Sequence, residues 1–315
     1  MMQLGFVSAI LPEADLEQVF VTAAAYDYDC VEVACWPFSG PDQKFGGTAH
    51  IDVANLNATY REEIKHLIHK YEVQISALAY YPNPLSPNPE EAKVASEHIR
   101  QVIVAAAVLG IGQMNTFIGR DPAQTVDANW PRMLDTWGPL VEYAAQHEVK
   151  IGIENCPMLF NDQQWPGGLN LATTPAIWRR LFQDLPSPNL GLNYDPSHLV
   201  WQQIDYLYPM REFASRLFHV HAKDTRVDWH ALKDAGIFAL PPHFHADKLP
   251  GLGDVDWGSF IATLGNVGYR GPVCVEVEDA TYEGSLDDRY LALKHSSHYL
   301  RNFIPRRYPK NPSRK

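Results

Sequence analysis

Strand-like and helix-like runs alternate along this whole chain, and that alternation predicts an α/β fold: a single-domain (β/α)8 TIM barrel. Three observations carry the prediction. Eight short apolar runs rich in β-branched residues recur, interleaved with stretches of helical length. No Gly-rich phosphate turn follows an early run, as an open doubly wound sheet would require. No short-period repeat and no linker divides the 315 residues.

The strands are expected at 4–9 (LGFVSA), 30–35 (CVEVAC), 74–79 (QISALA), 113–117 (QMNTF), 150–155 (KIGIEN), 190–194 (LGLNY), 217–221 (LFHVH) and 272–277 (PVCVEV). Such runs suit parallel strands buried on both faces. Helices are expected at 13–26, 55–71, 89–109, 125–148, 174–183, 204–215, 256–266 and 285–303. Asp121-Pro122 and Thr174-Pro175 each place a capping residue ahead of a proline at a first helical position. The barrel then spans 1–304, with long loops at 38–54 and 226–254 and a basic, proline-broken, solvated tail at 305–315. Long loops after barrel strands belong to the C-terminal face, where they wall or cover a site.

Composition narrows the function classes. A hydrophobic content of 46% supplies a large core, and a net charge of −11 with no long basic block argues against nucleic acid as partner. Cys30, Cys35, Cys156 and Cys274 form no C-x-x-C pair and read as packed, reduced thiols. The first residues carry no basic lead or cleavage pattern, and the longest apolar run, 102–112, is too short to span a bilayer. A cytoplasmic protein without a membrane partner is expected.

Four strand ends carry the chemistry. They read IGI-Glu154-N, GLNY-Asp195-PS-His198, FHV-His221-AKD and VCV-Glu276-VE. Buried carboxylates need a compensating charge, so three of them converging with an imidazole imply a cation. Consecutive strands five to eight bring their ends around half of the barrel mouth. This mainly oxygen donor set suits Mn2+ first, with Mg2+, Co2+ or Zn2+ as alternatives, as a single divalent cofactor.

These motifs, with GLGDVDW before the last strand, give a chain that resembles the xylose-isomerase-like barrels, the sugar phosphate isomerases and epimerases. The resemblance covers essentially the whole chain and implies Glu154, Asp195, His221 and Glu276 as metal ligands. It also implies Glu154 and Glu276 as the catalytic acid/base pair, with His198 touching substrate or the metal's surroundings. Lys223 either holds a substrate oxygen or pairs with Asp224 at the surface. Glu32 and Trp36 follow strand two as further substrate-side candidates, Trp36 by stacking on a sugar face. Glu278 is expected to support Glu276, and Asp279 to be solvated.

The expected reaction is proton abstraction next to a metal-bound carbonyl of a small sugar or cyclitol, through an enediolate: isomerisation or 3-epimerisation. The alternative is a lyase acting on a 3-keto-glycoside or inosose, which the long 226–254 insertion favours by implying a larger substrate or a subunit contact in a homo-oligomer. A third reading is an abasic-site endonuclease of the same fold, suggested by Asp228-x-His230. The histidines it would need after strands three and four are absent from the sequence. A barrel that binds without turning over is the remaining alternative.

Overall fold

A computed structural model describes residues 1–38, 46–159 and 161–306. Among them, eight parallel strands close a barrel in the order β1-β10-β7-β6-β5-β4-β3-β2. These are β1 (Gln3–Val7), β2 (Cys30–Ala34), β3 (Gln74–Ala79), β4 (Gln113–Thr116), β5 (Lys150–Glu154), β6 (Leu190–Tyr194), β7 (Leu217–Ala222) and β10 (Pro272–Val275). The seam is closed by β1, whose Gly5 pairs with Cys30 on one side and Cys274 on the other. A side chain on Gly5 would meet both thiols at 2.6 Å, so the barrel tolerates only hydrogen there.

The helices fall where helical periodicity and caps place them. They are α1 (Leu16–Ala25), α2 (Ala58–Tyr71), α3 (Pro89–Val108), α4 (Val126–Gln146), α5 (Pro175–Asp184), α9 (Trp257–Asn266) and α10 (Leu286–Leu300). Thr174 caps α5 through the Ile177 N–H, with Pro175 at the first position, as expected. The Asp121-Pro122 expectation fails. Asp121 accepts the Ala123 N–H in a turn, and Thr125 caps α4 instead. The helix expected at 204–215 is shortened to α7 (Tyr208–Glu212), and a separate short helix not expected there, α6 (Ser197–Trp201), precedes it. Gln203, at φ 59°, ends α6 in the left-handed region, and Asp205 accepts the Leu207 and Tyr208 N–H groups to start α7.

The insertion after β7 is built, not loose. β8 (Asp224–Val227) and β9 (His245–Lys248) pair antiparallel around α8 (Trp229–Ala235). Asp224 holds this unit to the barrel. Its buried carboxylate accepts from the Gly251 N–H at 2.9 Å, the Val255 N–H at 3.0 Å and the Trp257 indole N–H at 2.9 Å. The segment GLGDVDW thus wraps a single carboxylate, and Gly253 passes so close that an added Cβ would lie 2.1 Å from Asp224 Oδ1.

Of the loop at 38–54, residues 39–45 lie outside the described residues. Its return runs beside β2, where Ala49 bridges Cys35. Residues 307–315 of the expected tail also lie outside them, but Arg306 is not solvated: it pairs with Asp27 at 2.8 Å. No helix among the described residues is long and apolar enough to cross a membrane.

Replacing Asp224 with alanine strands three buried donors, the N–H groups of Thr225 and Val255 and the Trp257 indole, besides the exposed Gly251 N–H. At about 1 kcal/mol or more for each unsatisfied group, urea unfolding should lose at least about 3 kcal/mol. A loss below about 1 kcal/mol would mean that other contacts hold the insertion.

Candidate metal centre

The barrel's register sets the four expected ligands around one point. Glu154 is the last residue of β5, and Asp195 and Glu276 directly follow β6 and β10. His221 lies within β7, opposite Cys274. One ligand atom from each of Glu154, Asp195, His221 and Glu276 lies within 4.8 Å of the others. His221 Nδ1 is 3.4 Å from both Glu154 Oε1 and Glu276 Oε2.

The donor atoms fit a divalent cation. Glu154 Oε1, Asp195 Oδ2, His221 Nδ1 and Glu276 Oε2 are buried without a hydrogen-bond partner. Each such atom costs about 1–3 kcal/mol when left unsatisfied. Four at one point make sense when a cation satisfies them together. Lys223 supplies only part of the charge. Its ammonium lies 2.8 Å from Glu276 Oε2 and 3.4 Å from Asp195 Oδ2.

Neighbouring groups fix each donor. Asn155 makes a two-way clamp with the Asp195 backbone, donating to its carbonyl and accepting its N–H, both at 2.9 Å. The Ser197 N–H occupies Asp195 Oδ1 at 2.8 Å, which leaves Oδ2 to the centre. Asn170 donates to the Glu154 and Cys156 carbonyls at 2.8 Å each. His221 Nε2 meets Glu32 Oε2 at 3.0 Å. A proton on Nε2 given to Glu32 leaves the Nδ1 lone pair facing the other three ligands.

Glu32 corrects the expectation of a substrate contact. It is the third residue of β2, so its side chain enters the barrel beneath the mouth rather than at it. It is fully buried, and its oxygens are taken by Tyr81 OH at 2.5 Å, Asn115 Nδ2 at 2.9 Å and His221. Burial pushes its pKa up, but His221 and His219 overcome this and hold it below the ordinary value. Glu32 is therefore placed to orient a ligand.

The other expected residues divide. His198 lies one helical turn past Asp195, with Nε2 3.3 Å from Asp195 Oδ2 and 3.7 Å from Glu154 Oε1. Lys223 is buried in the centre and not paired with Asp224, since strand alternation turns Asp224 toward the insertion. Glu278 meets Lys223 at 2.8 Å, as a support of Glu276 should. Trp36 stands past the end of β2, half-buried, with its ring edge-on to Tyr80. Asp279 is not solvated; it is 1% exposed and pairs with Lys248 at 3.0 Å. Asp228 caps α8 at the surface, and among the described residues neither it nor His230 joins a cluster able to hold a metal.

Several residues escaped the sequence reading. Tyr81 and Asn193 hydrogen-bond each other beside His221, and Asn193 also meets His219 Nδ1 at 3.0 Å. His219 was legible, since alternation puts it on the same side of β7 as His221. Asn193 and Tyr81 carried no signal beyond their strand-end positions.

The carboxylates are electrostatically unequal. Burial raises Glu276, but Lys223 and His221 overcome it and hold the group well below the usual range. Glu154 is raised, by burial first and then by the Glu276 charge. Glu278 is pushed up to about 8 by burial, against the pull of Lys223.

A family model described as xylose isomerase-like TIM barrel matches residues 20–303. The chain belongs to that family. An uncharacterized protein of Bacillus subtilis, YfiH, is 26% identical over 313 residues, covering 89% of this chain and 94% of its own. An inosose dehydratase of Geobacillus thermodenitrificans is 26% identical over 179 residues, 53% of each chain. A solved D-psicose 3-epimerase with D-tagatose, from Clostridium cellulolyticum H10, superposes with a TM-score of 0.69 at 16% identity. It covers 96% of this chain and 99% of its own, and the likeness shows the shared fold. An epimerase by fold and a dehydratase by sequence thus both stand among this chain's likenesses.

Glu32→Gln removes the charge that orients His221 while keeping its size. Mn2+ affinity measured by calorimetry should fall about 10–100-fold, the usual cost of losing an outer partner of a metal-bound histidine. Unchanged affinity would detach Glu32 from the centre.

Proposed function

We propose that this protein is a divalent-metal-dependent isomerase or 3-epimerase of a small sugar or cyclitol, working by proton abstraction next to a carbonyl. The observation that carries this reading is the convergence of Glu154 and Glu276, from β5 and β10, on one point with Asp195 and His221. An ion held by these four residues, Mn2+ by preference for their mostly oxygen donors, would supply Lewis acidity toward a carbonyl and its neighbouring hydroxyl.

The protein groups divide the proton work. Lys223 keeps Glu276 ionised, which suits it to remove the α-proton. Glu154, entering from β5 rather than β10, is suited to return one from the other side. His198 Nε2, buried and without a partner, is available to a substrate hydroxyl. Trp36, at the end of β2, can cover the apolar side of the ring.

A lyase is the second reading, and Glu278 favours it. Its carboxyl, beside Glu276 and 24% exposed, holds its proton near neutral pH and could protonate a departing hydroxyl on the adjacent carbon. The inosose dehydratase likeness points the same way.

NMR of a ketose, a 3-keto-glucoside and an inosose in D2O with Mn2+-loaded protein tests both readings. Deuterium is expected at a carbon next to the carbonyl, and the product separates epimerisation from elimination. Absence of exchange with all three, from protein that binds Mn2+, would overturn the reading for these substrate classes.

Glu276→Gln should lower turnover at least about 100-fold with the unfolding midpoint unchanged; an unaltered rate would remove its acid/base role. Chelation should abolish activity and Mn2+ restore it, whereas full activity of metal-free protein would refute the metal requirement.

A further inference from the structure

We propose a second cation position at the barrel mouth, formed by Glu154, Cys156 and His198 and selective for thiophilic divalent ions such as Zn2+ and Cd2+. One ligand atom from each of the three lies within 4.8 Å of the others. Zinc holds nitrogen and sulfur at roughly 2.0–2.3 Å in a tetrahedron, so donors to one ion stand about 3.3–3.8 Å apart. Donors up to 4.8 Å apart must therefore draw in by up to about 1.5 Å when the ion enters.

The chain presents them on a fixed frame. Beyond β5 the backbone is held by Asn170, which donates to the carbonyls of both Glu154 and Cys156. Asn155 between them is turned onto the Asp195 backbone. His198 comes from α6, one turn after Asp195. Its Nε2 is buried without a hydrogen-bond partner, 3.7 Å from Glu154 Oε1, in a residue only 5% exposed. That nitrogen is the independent sign that a ligand belongs here.

The two donor sets differ in chemistry. The four-residue centre has three carboxylates and an imidazole, which suit oxygen-preferring ions. The second set replaces two carboxylates by a thiol, which selects softer ions, and its three protein ligands leave a position open for water or substrate. Uptake forms a sulfur–metal bond and releases the thiol proton to solvent. The position goes beyond the proposed reaction, and an ion there would claim the His198 nitrogen that the reaction assigns to substrate. A Mn2+-loaded enzyme and a zinc-exposed enzyme would then differ in substrate binding.

Cadmium titration of the full chain tests this, followed through the ultraviolet charge-transfer band of a cadmium thiolate. The four-residue centre has no sulfur and is silent in that band. The wild type should give a band that saturates with one Cd2+ per chain. Cys156→Ser should lose it while still binding Mn2+ by electron paramagnetic resonance. His198→Gln should lower the Cd2+ affinity that the band reports by about tenfold or more, at least the cost of losing an outer-shell partner.

No band in the wild type would overturn the proposal, as would a full band in Cys156→Ser, which would assign the sulfur to Cys30, Cys35 or Cys274. An unchanged affinity in His198→Gln would overturn the three-residue site. Because the readout is binding, failure of the proposed reaction leaves this result unaffected, and the converse also holds.

Discussion

The rest of the structure depends on one electrostatic constraint: three carboxylates and an imidazole turn one atom each, lacking a hydrogen-bond partner, toward a shared buried point. Such a point is stable only if the surrounding groups hold each side chain in place and a cation offsets the charge. Asn155, Asn170 and Ser197 fix the backbone and the inner oxygen of the carboxylates, and Glu32 fixes the imidazole. These hydrogen bonds tie the residues just past the strand ends to one another, and Glu32 ties His221 across the barrel, so the donor geometry is set before any ligand arrives.

Strand alternation separates chemistry from architecture in β7 and its continuation. His219, His221 and Lys223 face the interior, where they meet Asn193, the carboxylates and Glu276. Asp224, one residue on, faces away and gathers the insertion through GLGDVDW. A single residue step therefore divides a cation of the candidate centre, Lys223, from a structural anion, Asp224. The same logic operates past β10, where Glu276 and Glu278 serve the centre. Asp279 instead ties down Lys248 of the hairpin. The insertion is bound to the barrel from both sides of the site, by Asp224 and by Asp279.

In the proposed reaction, abstraction of a proton next to a carbonyl is common to epimerisation and to elimination. What distinguishes them is whether a proton returns to the same carbon or a neighbouring oxygen departs. Glu154, beside Glu276, would serve the first outcome, and Glu278, which meets Lys223 at 2.8 Å, the second. The fold itself is neutral between them.

The barrel was legible in the sequence because its strands are short, apolar and regularly interrupted. Gln74–Ala79 and Leu190–Tyr194 fall at the expected bounds. The convergence of Glu154, Asp195, His221 and Glu276 was legible too, because an acid or histidine at the end of a hydrophobic run cannot be buried without a purpose. Local pattern does not encode what lies across the barrel. Glu32 faces His221 over 189 residues of chain, and Tyr81 reaches Glu32 from the neighbouring strand. The insertion's hairpin, the separation of α6 from α7 and the burial of Asp279 likewise depend on partners distant in sequence. Periodicity and residue type, which are properties of neighbours along the chain, determined the strands and the four candidate ligands. Closure of the barrel decided the roles of Glu32, Lys223 and Asp224, because those follow from which side chains the register brings face to face.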